Sequence, residues 1–201
     1  MTNVTGTNVN RPTTLENFVT RDEIKNIINF TMNAAKKQGR SFPHSLITGE
    51  AGVGKTTLAN IIANEMGVNM RCLMGPSIKD SDDISNAFVG LKDQDILFID
   101  EIHAVKKVFQ EMLYSAMEDR FIPKKVDDHT FNYKIKDVTI IITTNESSNL
   151  PGPLVDRCRL KIKLDNYSVD NISTIIKANA KILGINITED ASVAICPAES
   201  A

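Results

Sequence analysis

The most chemically specific stretch of this 201-residue chain is a glycine-rich loop at residues 49–56, which reads Gly-Glu-Ala-Gly-Val-Gly-Lys-Thr. An apolar run precedes it and an amphipathic run follows, the strand–loop–helix setting of a phosphate-binding loop. Glycines let backbone N–H groups close around phosphates, and the helix start adds partial positive charge. Lys55 is placed to reach the β- and γ-phosphates, and the Thr56 hydroxyl to ligate Mg²⁺. The loop predicts ATP binding through Gly49, Gly52, Val53, Gly54, Lys55, Thr56 and Thr57.

Two adjacent acids end a second apolar run. Residues 95–101 read Asp-Ile-Leu-Phe-Ile-Asp-Glu, the pattern of a buried strand in a parallel sheet. Asp100 is suited to hold Mg²⁺, directly or through water, and Glu101 to polarise an attacking water. Acids that merely end a strand at the surface are the alternative, but the phosphate loop requires a metal site. The pair therefore predicts ATP hydrolysis, with Thr56 and Asp100 as the metal ligands.

Two further polar side chains lie where they can complete a nucleotide site. Asn145 follows an apolar run, at the sheet edge where ligands bind in parallel α/β folds. It is predicted to orient the attacking water or contact the γ-phosphate, with an ordinary turn asparagine as the alternative. Arg157 follows a proline-flanked loop, and it is predicted to stabilise charge on a neighbouring subunit's nucleotide. A surface ion-pair residue is the alternative that the sequence leaves open for Arg157.

The composition gives no global sign of nucleic-acid affinity. The net charge is −2, so any DNA contact has to be local or belong to a partner. The three cysteines have no metal-site spacing and suit a reducing cytosol, and Cys72 is expected to be a buried small residue. The first ten residues are polar, and no apolar run reaches membrane-spanning length. We therefore expect a cytoplasmic protein without a membrane partner.

The apolar runs predict a series of strands separated by helices. Strands are expected at 45–48, 69–73, 95–101, 138–144 and 160–164. Alternating strands and helices predict an α/β fold, a three-layer αβα sandwich around a parallel five-stranded sheet.

The segments between these strands carry helix and hairpin signals. A capping box at Thr20–Glu23 predicts the start of the first helix, and residues 82–89 predict a weak one. A further helix is expected to bury one face, formed by Ile102, Val105, Val108, Phe109, Met112, Leu113 and Ala116. Residues 121–136 predict a β-hairpin with a positive surface, and helices are expected from 168 and from 188.

The order of these motifs resembles that of an AAA+ ATPase. The phosphate loop is followed by Ile-Asp-Glu at 99–101, Thr-Thr-Asn at 143–145 and Asp-Arg-Cys at 156–158. Within that superfamily the chain looks most like RuvB, the motor family of Holliday-junction branch migration. This resemblance rests on stretches that ATP chemistry in general does not require. Among them are Asn-Glu-Met-Gly-Val-Asn at 64–69 and Ala-Met-Glu-Asp at 116–119.

The resemblance implies roles for residues that the motifs alone do not assign. It implies that Arg11 contacts the nucleotide and that Tyr167 packs near the base. It places Glu118 and Asp119 near a neighbour's nucleotide and makes Arg157 the arginine finger. It also implies ATP with Mg²⁺, four-way-junction DNA, a homo-oligomeric ring that is hexameric when the lid is complete, and a RuvA-like partner that binds the hairpin at 121–136.

The chain also departs from the family pattern. Val155 replaces the first of two family arginines before the finger, and Asn145 stands where RuvB usually has threonine. The sequence stops before the Gly-Thr-Pro-Arg segment that supplies the lid's sensor arginine, and before a winged-helix DNA-binding domain. We therefore expect a disordered segment at 1–10, an AAA+ core at 11–166 and an incomplete helical lid at 167–201, with reduced activity.

The leading functional hypothesis is a motor subunit for branch migration, and two alternatives stay open. A clamp-loader-like ATPase is favoured by Asn145 and the Asp-Arg-Cys motif. A catalytically poor interaction module that interferes with a full-length ring is favoured by the missing lid arginine. Hydrolysis is expected to require oligomerisation, because Arg157 is expected far from its own phosphate loop.

Overall fold

The protein is described by a computed structural model over residues 11–126, 129–145, 150–188 and 191–192. The strands in these ranges are β1 (Ser45–Thr48), β2 (Met70–Met74), β3 (Ile96–Asp100), β4 (Phe121–Val126), β5 (His129–Lys134), β6 (Thr139–Thr144) and β7 (Leu160–Lys163). The helices are α1 (Asp22–Gln38), α2 (Lys55–Met66), α3 (Ser81–Phe88), α4 (Lys107–Asp119), α5 (Gly152–Arg157) and α6 (Val169–Ile182). Short 3₁₀ turns lie at Gly75–Ser77 and Ile102–Ala104.

A five-stranded parallel sheet forms the centre of the molecule, in the order β2-β3-β6-β1-β7. The phosphate-loop strand β1 lies between β6 and β7, so that Ser45 is opposite both Ile141 and Leu160. All five carboxyl ends meet at one edge, which is where parallel α/β sheets bind ligands. The predicted parallel five-stranded sheet is confirmed.

Two apolar cores cover the two faces of this sheet. Successive side chains of a strand point to opposite faces, and β3 follows this rule closely. Leu97 and Ile99 enter the core formed with α3, α4 and α5, whereas Ile96 and Phe98 enter the core formed with α1 and α2. The predicted three-layer αβα arrangement follows from this alternation.

The predicted hairpin forms as a separate antiparallel pair, β4 with β5. Ile122 anchors its base in the core beneath α4, whereas Phe121 and Phe131 remain exposed. Lys124 lies over the Tyr133 ring at 5.6 Å. The turn residues 127–128 lie outside the described residues. The described part of the hairpin therefore exposes aromatic and basic side chains, while Ile122 and Tyr133 pack against the domain.

Three local expectations were wrong. The N-cap of α1 is Arg21, without a side-chain cap bond, so the predicted capping box at Thr20 does not form; Arg21 pairs instead with Asp165 at 2.9 Å. The helix predicted from Ile102 is interrupted, because a 3₁₀ turn precedes α4 and leaves Val108 56% exposed. Cys72 is exposed rather than buried, since β2 is an edge strand.

Beyond β7, the chain forms α6, which begins with a reciprocal capping box between Ser168 and Asn171. The Ser173 hydroxyl is buried 2.7 Å from the Ser192 hydroxyl, and the Ser192 N–H donates to Thr188 O at 3.0 Å. The rest of the predicted lid, with Cys196 and the 196–201 tail, lies outside the described residues, as does the 1–10 segment. No helix within the described ranges is long and apolar enough to cross a membrane.

Candidate nucleotide site

The phosphate loop lies between β1 and α2, at the carboxyl edge of the sheet. Gly52 and Gly54 adopt left-handed backbone conformations, with φ of 86° and 93°, and Gly54 caps the helix that begins at Lys55. The Lys55 ammonium donates to the carbonyl oxygens of Gly49 and Glu50 at 2.6 and 2.7 Å. Burial lowers the pKa of Lys55, while the nearby carboxylates oppose that shift. The loop thus holds the Lys55 ammonium against its own backbone, at the helix start where phosphates bind.

Two aromatic residues from outside the loop fix its position. A Cβ at Gly54 would lie 2.9 Å from Phe18 Cε2 and 3.0 Å from Tyr167 Oη, which explains why this position has no side chain. The Tyr167 hydroxyl donates to Val53 O at 3.0 Å, and burial raises the pKa of Tyr167. Tyr167, predicted to lie near the base, therefore contacts the phosphate loop directly.

Asp100 joins the phosphate loop to the neighbouring strand. The Thr56 hydroxyl donates to Asp100 Oδ2 at 3.1 Å. On the other carboxylate oxygen, Oδ1, Asp100 accepts from the Thr143 hydroxyl and from the Glu101 N–H at 3.1 Å. The two predicted metal ligands are thus already side by side, in a carboxylate–hydroxyl pair of the kind that Mg²⁺ accepts.

Glu101 is held in an uncommon backbone conformation. Its φ of 55° and ψ of 50° are left-handed, which costs free energy for a residue with a side chain. Its N–H also lies 3.3 Å from Thr143 Oγ1, and its side chain is exposed toward the site. The structure therefore turns the predicted water-polarising acid outward, beside the metal ligands.

These groups converge on one cavity of about 410 Å³, within the range of small-ligand pockets. Among the described residues no group of three or more His, Cys, Asp or Glu side chains could hold a metal unaided. A Mg²⁺ ion here would share its coordination between Thr56, Asp100 and phosphate oxygens. The donors and the volume fit a magnesium–nucleotide complex. The cavity is lined by Arg11, Ala51, Gly52, Gly54, Lys55, Thr56, Thr57, Asp100, Glu101, His103, Thr144 and Asn145.

Three residues of this network were missed from the sequence. Thr143 bridges the two acids, and Thr144 and His103 line the cavity, with His103 Nδ1 3.0 Å from Thr144 Oγ1. Consecutive threonines directly after the apolar run at 140–142 were the available signal, and in the structure both are buried with their hydroxyls hydrogen-bonded. His103 carried no such signal, since its partner lies 41 residues away. Asn145, the residue that was predicted, directly follows the same strand and is exposed at the cavity rim.

Arg157, Glu118 and Asp119 do not line this cavity. Arg157 Nε lies 2.5 Å from Glu118 Oε2, and its guanidinium lies over the Tyr114 ring at 5.5 Å. Asp119 ends α4 beside them. The pair lines a different cavity of about 680 Å³. The predicted finger is therefore ordered on α5 by groups of α4, away from its own phosphate loop.

The second cavity lies at the amino ends of the strands, because His44 precedes β1 and Val138 precedes β6. It is rich in arginine: Arg40, Arg120, Arg157 and Arg159 all line it. His44 Nδ1 accepts the Ile140 N–H at 2.9 Å, and burial lowers the pKa of His44 to about 4. Acids share this cavity, because Asp137 pairs with Arg120 at 2.7 Å and Glu118 with Arg157 at 2.5 Å.

Comparison with known proteins agrees with the motifs. A family model for the P-loop domain of the Holliday junction DNA helicase RuvB matches residues 10–164. RuvB subunits of the Holliday junction branch migration complex from Staphylococcus aureus strains JH9 and N315 are each 37% identical over 187 residues, which is 91% of this chain and 56% of each relative. The chain thus spans about half the length of the curated relatives it matches.

Solved structures give the same result. The Thermotoga maritima RuvB branch migration motor superposes with a TM-score of 0.82 at 34% identity, covering 92% of this chain and 58% of that one. A mutant of that motor gives 0.81 at 33% identity, covering 91% and 58%. None of these matches favours the clamp-loader alternative. Because the family model spans most of the chain and the sheet and phosphate loop agree with it, the chain belongs to the RuvB family through its P-loop domain.

Proposed function

We propose that this chain binds and hydrolyses ATP as part of a motor that drives Holliday-junction branch migration. The observation that carries the proposal is the convergence of Lys55, Thr56, Asp100 and Glu101 on one cavity at the carboxyl edge of the sheet. Membership of the RuvB family supports the link to branch migration.

The residues of the cavity divide the work of hydrolysis. Lys55 and the loop N–H groups hold the phosphates, and Thr56 with Asp100 holds Mg²⁺, which neutralises charge on the phosphates when bound. Glu101 accepts a proton from the attacking water. Asn145 at the rim orients that water or contacts the γ-phosphate. The place of each side chain on the cavity wall supports these proposed roles.

One basic residue, Arg11, and one aromatic residue, Tyr167, are proposed to contact the nucleotide at the edges of the cavity. Arg11 lines the cavity from the segment before α1. Its charge is suited to phosphate or ribose oxygens. Tyr167 contacts the phosphate loop at Val53 O, and we propose that its ring packs near the base.

The second half of the catalytic machinery comes from a neighbouring subunit. We propose that Arg157 stabilises transition-state charge on that subunit's nucleotide, as arginine fingers do. Its ion pair with Glu118 and its contact with Tyr114 restrict the rotamers of the guanidinium before it engages. Asp119 lies at the same end of α4 and would face the same neighbour. A homo-oligomeric ring is the arrangement that uses these groups.

The hairpin is the proposed contact with the junction-binding partner. Its Phe121, Phe131 and Lys134 side chains are exposed on a strand pair separate from the central sheet. A RuvA-like protein bound to four-way-junction DNA is the partner that the family implies, and the motor would act on that DNA through it.

Nucleotide binding and hydrolysis test the central proposal. Mg²⁺–ATP at millimolar concentration should raise the thermal unfolding midpoint of the wild type, because a ligand that binds only the folded state stabilises it. Lys55→Ala should abolish the shift. Glu101→Gln should retain it while hydrolysis falls about 10²-fold or more. Absence of any shift with the wild type would refute ATP binding, and unchanged hydrolysis by Glu101→Gln would remove Glu101 from the mechanism.

Branch migration is tested with a synthetic four-way junction and a RuvA-type partner. ATP-dependent strand movement supports the motor. Inhibition of a full-length RuvB ring, without movement by this chain, would support the interaction module instead.

A further inference from the structure

Gly75 lies directly beside the predicted catalytic acid. Met74 ends β2 opposite Asp100 on β3, so the next residue of each strand meets above the sheet edge. Gly75 is buried at the start of the 3₁₀ turn that follows. A Cβ at this position would lie 2.2 Å from Glu101 O and 2.9 Å from Glu101 C, closer than real Cβ atoms approach. The contact is therefore backbone against backbone, and it leaves no space for a methyl group.

The Glu101 oxygen in this contact is fixed in place. It accepts the Ala104 N–H at 2.9 Å, which closes the 3₁₀ turn after the acid. Buried Gln110 of α4 then holds that turn, because its amide donates to Ile102 O at 3.1 Å and to Val105 O at 2.7 Å. Displacing the oxygen would therefore disturb the whole turn rather than one flexible side chain.

The preceding peptide, between Asp100 and Glu101, carries the acid's other backbone hydrogen bonds. The Glu101 N–H donates to Asp100 Oδ1 and Thr143 Oγ1, and these bonds accompany the left-handed φ of 55°. A residue in that conformation persists only when its surroundings over-determine it. Gly75 supplies the packing on one face, while Asp100 and Thr143 supply it on the other.

We propose that Gly75 is a positioning residue for Glu101: its bare backbone lets the Glu101 peptide adopt the left-handed turn that directs the carboxylate into the nucleotide cavity. The inference rests on the proposed hydrolysis for its catalytic consequence, but not for its structural one. Gly75 does not line the nucleotide cavity, so its substitution should affect the acid and spare the phosphate loop.

The test compares Gly75→Ala with Gly152→Ala, a matched control in which the new Cβ meets no atom within 4 Å. Amide hydrogen exchange of the nucleotide-free proteins should show Glu101 exchanging at least about tenfold faster in Gly75→Ala, with the amides of α2 unchanged. Mg²⁺–ATP affinity should stay within about threefold of wild type, while the hydrolysis rate falls about tenfold or more. Gly152→Ala should match the wild type in all three measurements.

Unchanged Glu101 exchange in a folded Gly75→Ala protein would overturn the inference. Equal loss of ATP affinity and hydrolysis would also overturn it, since it would indicate a general structural defect. If the wild type itself does not hydrolyse ATP, the proposed function fails, while hydrogen exchange still decides the role of Gly75. Should Gly75→Ala not fold, adding Glu101→Gly should restore folding in a thermal melt, because glycine lets the backbone at 101 move away from the new Cβ. Failure of the double variant to regain stability would equally refute the proposal.

Discussion

Among single residues, Thr143 joins the two acids of the nucleotide site, and its substitution isolates that contact. Thr143→Val removes the hydroxyl that donates to Asp100 and lies beside the Glu101 N–H. A hydrogen bond to a charged carboxylate is worth about 1.5–3 kcal/mol, so Mg²⁺-dependent hydrolysis should fall about 10-fold or more. Steady-state rates at varied Mg²⁺ measure this, with Thr174→Val on exposed α6 as the control. Wild-type rates from Thr143→Val would show that Asp100 needs no such support.

His44 makes stability depend on pH. Burial lowers its pKa from 6.5 to about 4, an effect that Asp137 opposes and Arg159 and Arg120 reinforce. In the unfolded chain His44 is protonated below about pH 6.5, whereas in the folded chain it stays neutral down to about pH 4. Stability is lost as pH falls through this window, by at most about 3 kcal/mol, and no further below it.

Urea unfolding at pH 7 and pH 5 measures this dependence. The wild type should lose more stability over that interval than His44→Asn, whose amide oxygen can accept the Ile140 N–H without titrating. The same loss in both proteins would mean that His44 is protonated in the folded state.

Among the elements, the hairpin is where substitutions should affect partner binding without affecting catalysis. Phe131 on β5 is 56% exposed and packs edge-to-face with His129 at 6.2 Å. Phe131→Ala should leave ATP hydrolysis unchanged and lower affinity for the RuvA-type partner about tenfold, because exposed aromatics are common anchors of interfaces. Phe30→Ala on α1, where the ring is 75% exposed, is the matched control. If Phe131→Ala and Phe30→Ala bind the partner with equal affinity, Phe131 of the hairpin does not contribute to the contact.

The elements also show which contacts a sequence reveals. The phosphate loop and the Asp100–Glu101 pair were predicted because their chemistry is contiguous along the chain. Thr143 and Gly75 were missed because each acts on Glu101 across two neighbouring strands, a relation that only strand order and register create. The predicted capping box of α1 was wrong for a similar reason, since Arg21 pairs with Asp165, which is distant in sequence. Val108 matched a helical period, but the 3₁₀ turn before α4 shifted the helix phase.

For the whole molecule, hydrolysis should require two subunits. Arg157 lines a cavity at the amino ends of the strands, whereas Lys55 lines one at the carboxyl ends. Each subunit would therefore supply a phosphate loop to one interface and a finger to the other. Mixing Arg157→Ala with Lys55→Ala subunits should restore part of the activity that each lacks alone, and the rate per subunit should rise with protein concentration. If the rate per subunit does not depend on protein concentration and is unchanged in Arg157→Ala, Arg157 is only a surface ion-pair residue.

The position of β1 in the sheet has a consequence for biosynthesis. Its two neighbours are β6 and β7, which lie far later in the chain. Neither edge of β1 can therefore pair until Ile141 and Leu160, the partners of Ser45, have been synthesised. Contacts this distant in sequence form late and slow folding, and an unpaired apolar strand is prone to aggregation meanwhile. As the ribosome extends the chain, the phosphate loop emerges early but gains its support only after residue 163 is free. The proposed nucleotide binding would therefore become possible only near the end of the domain's translation.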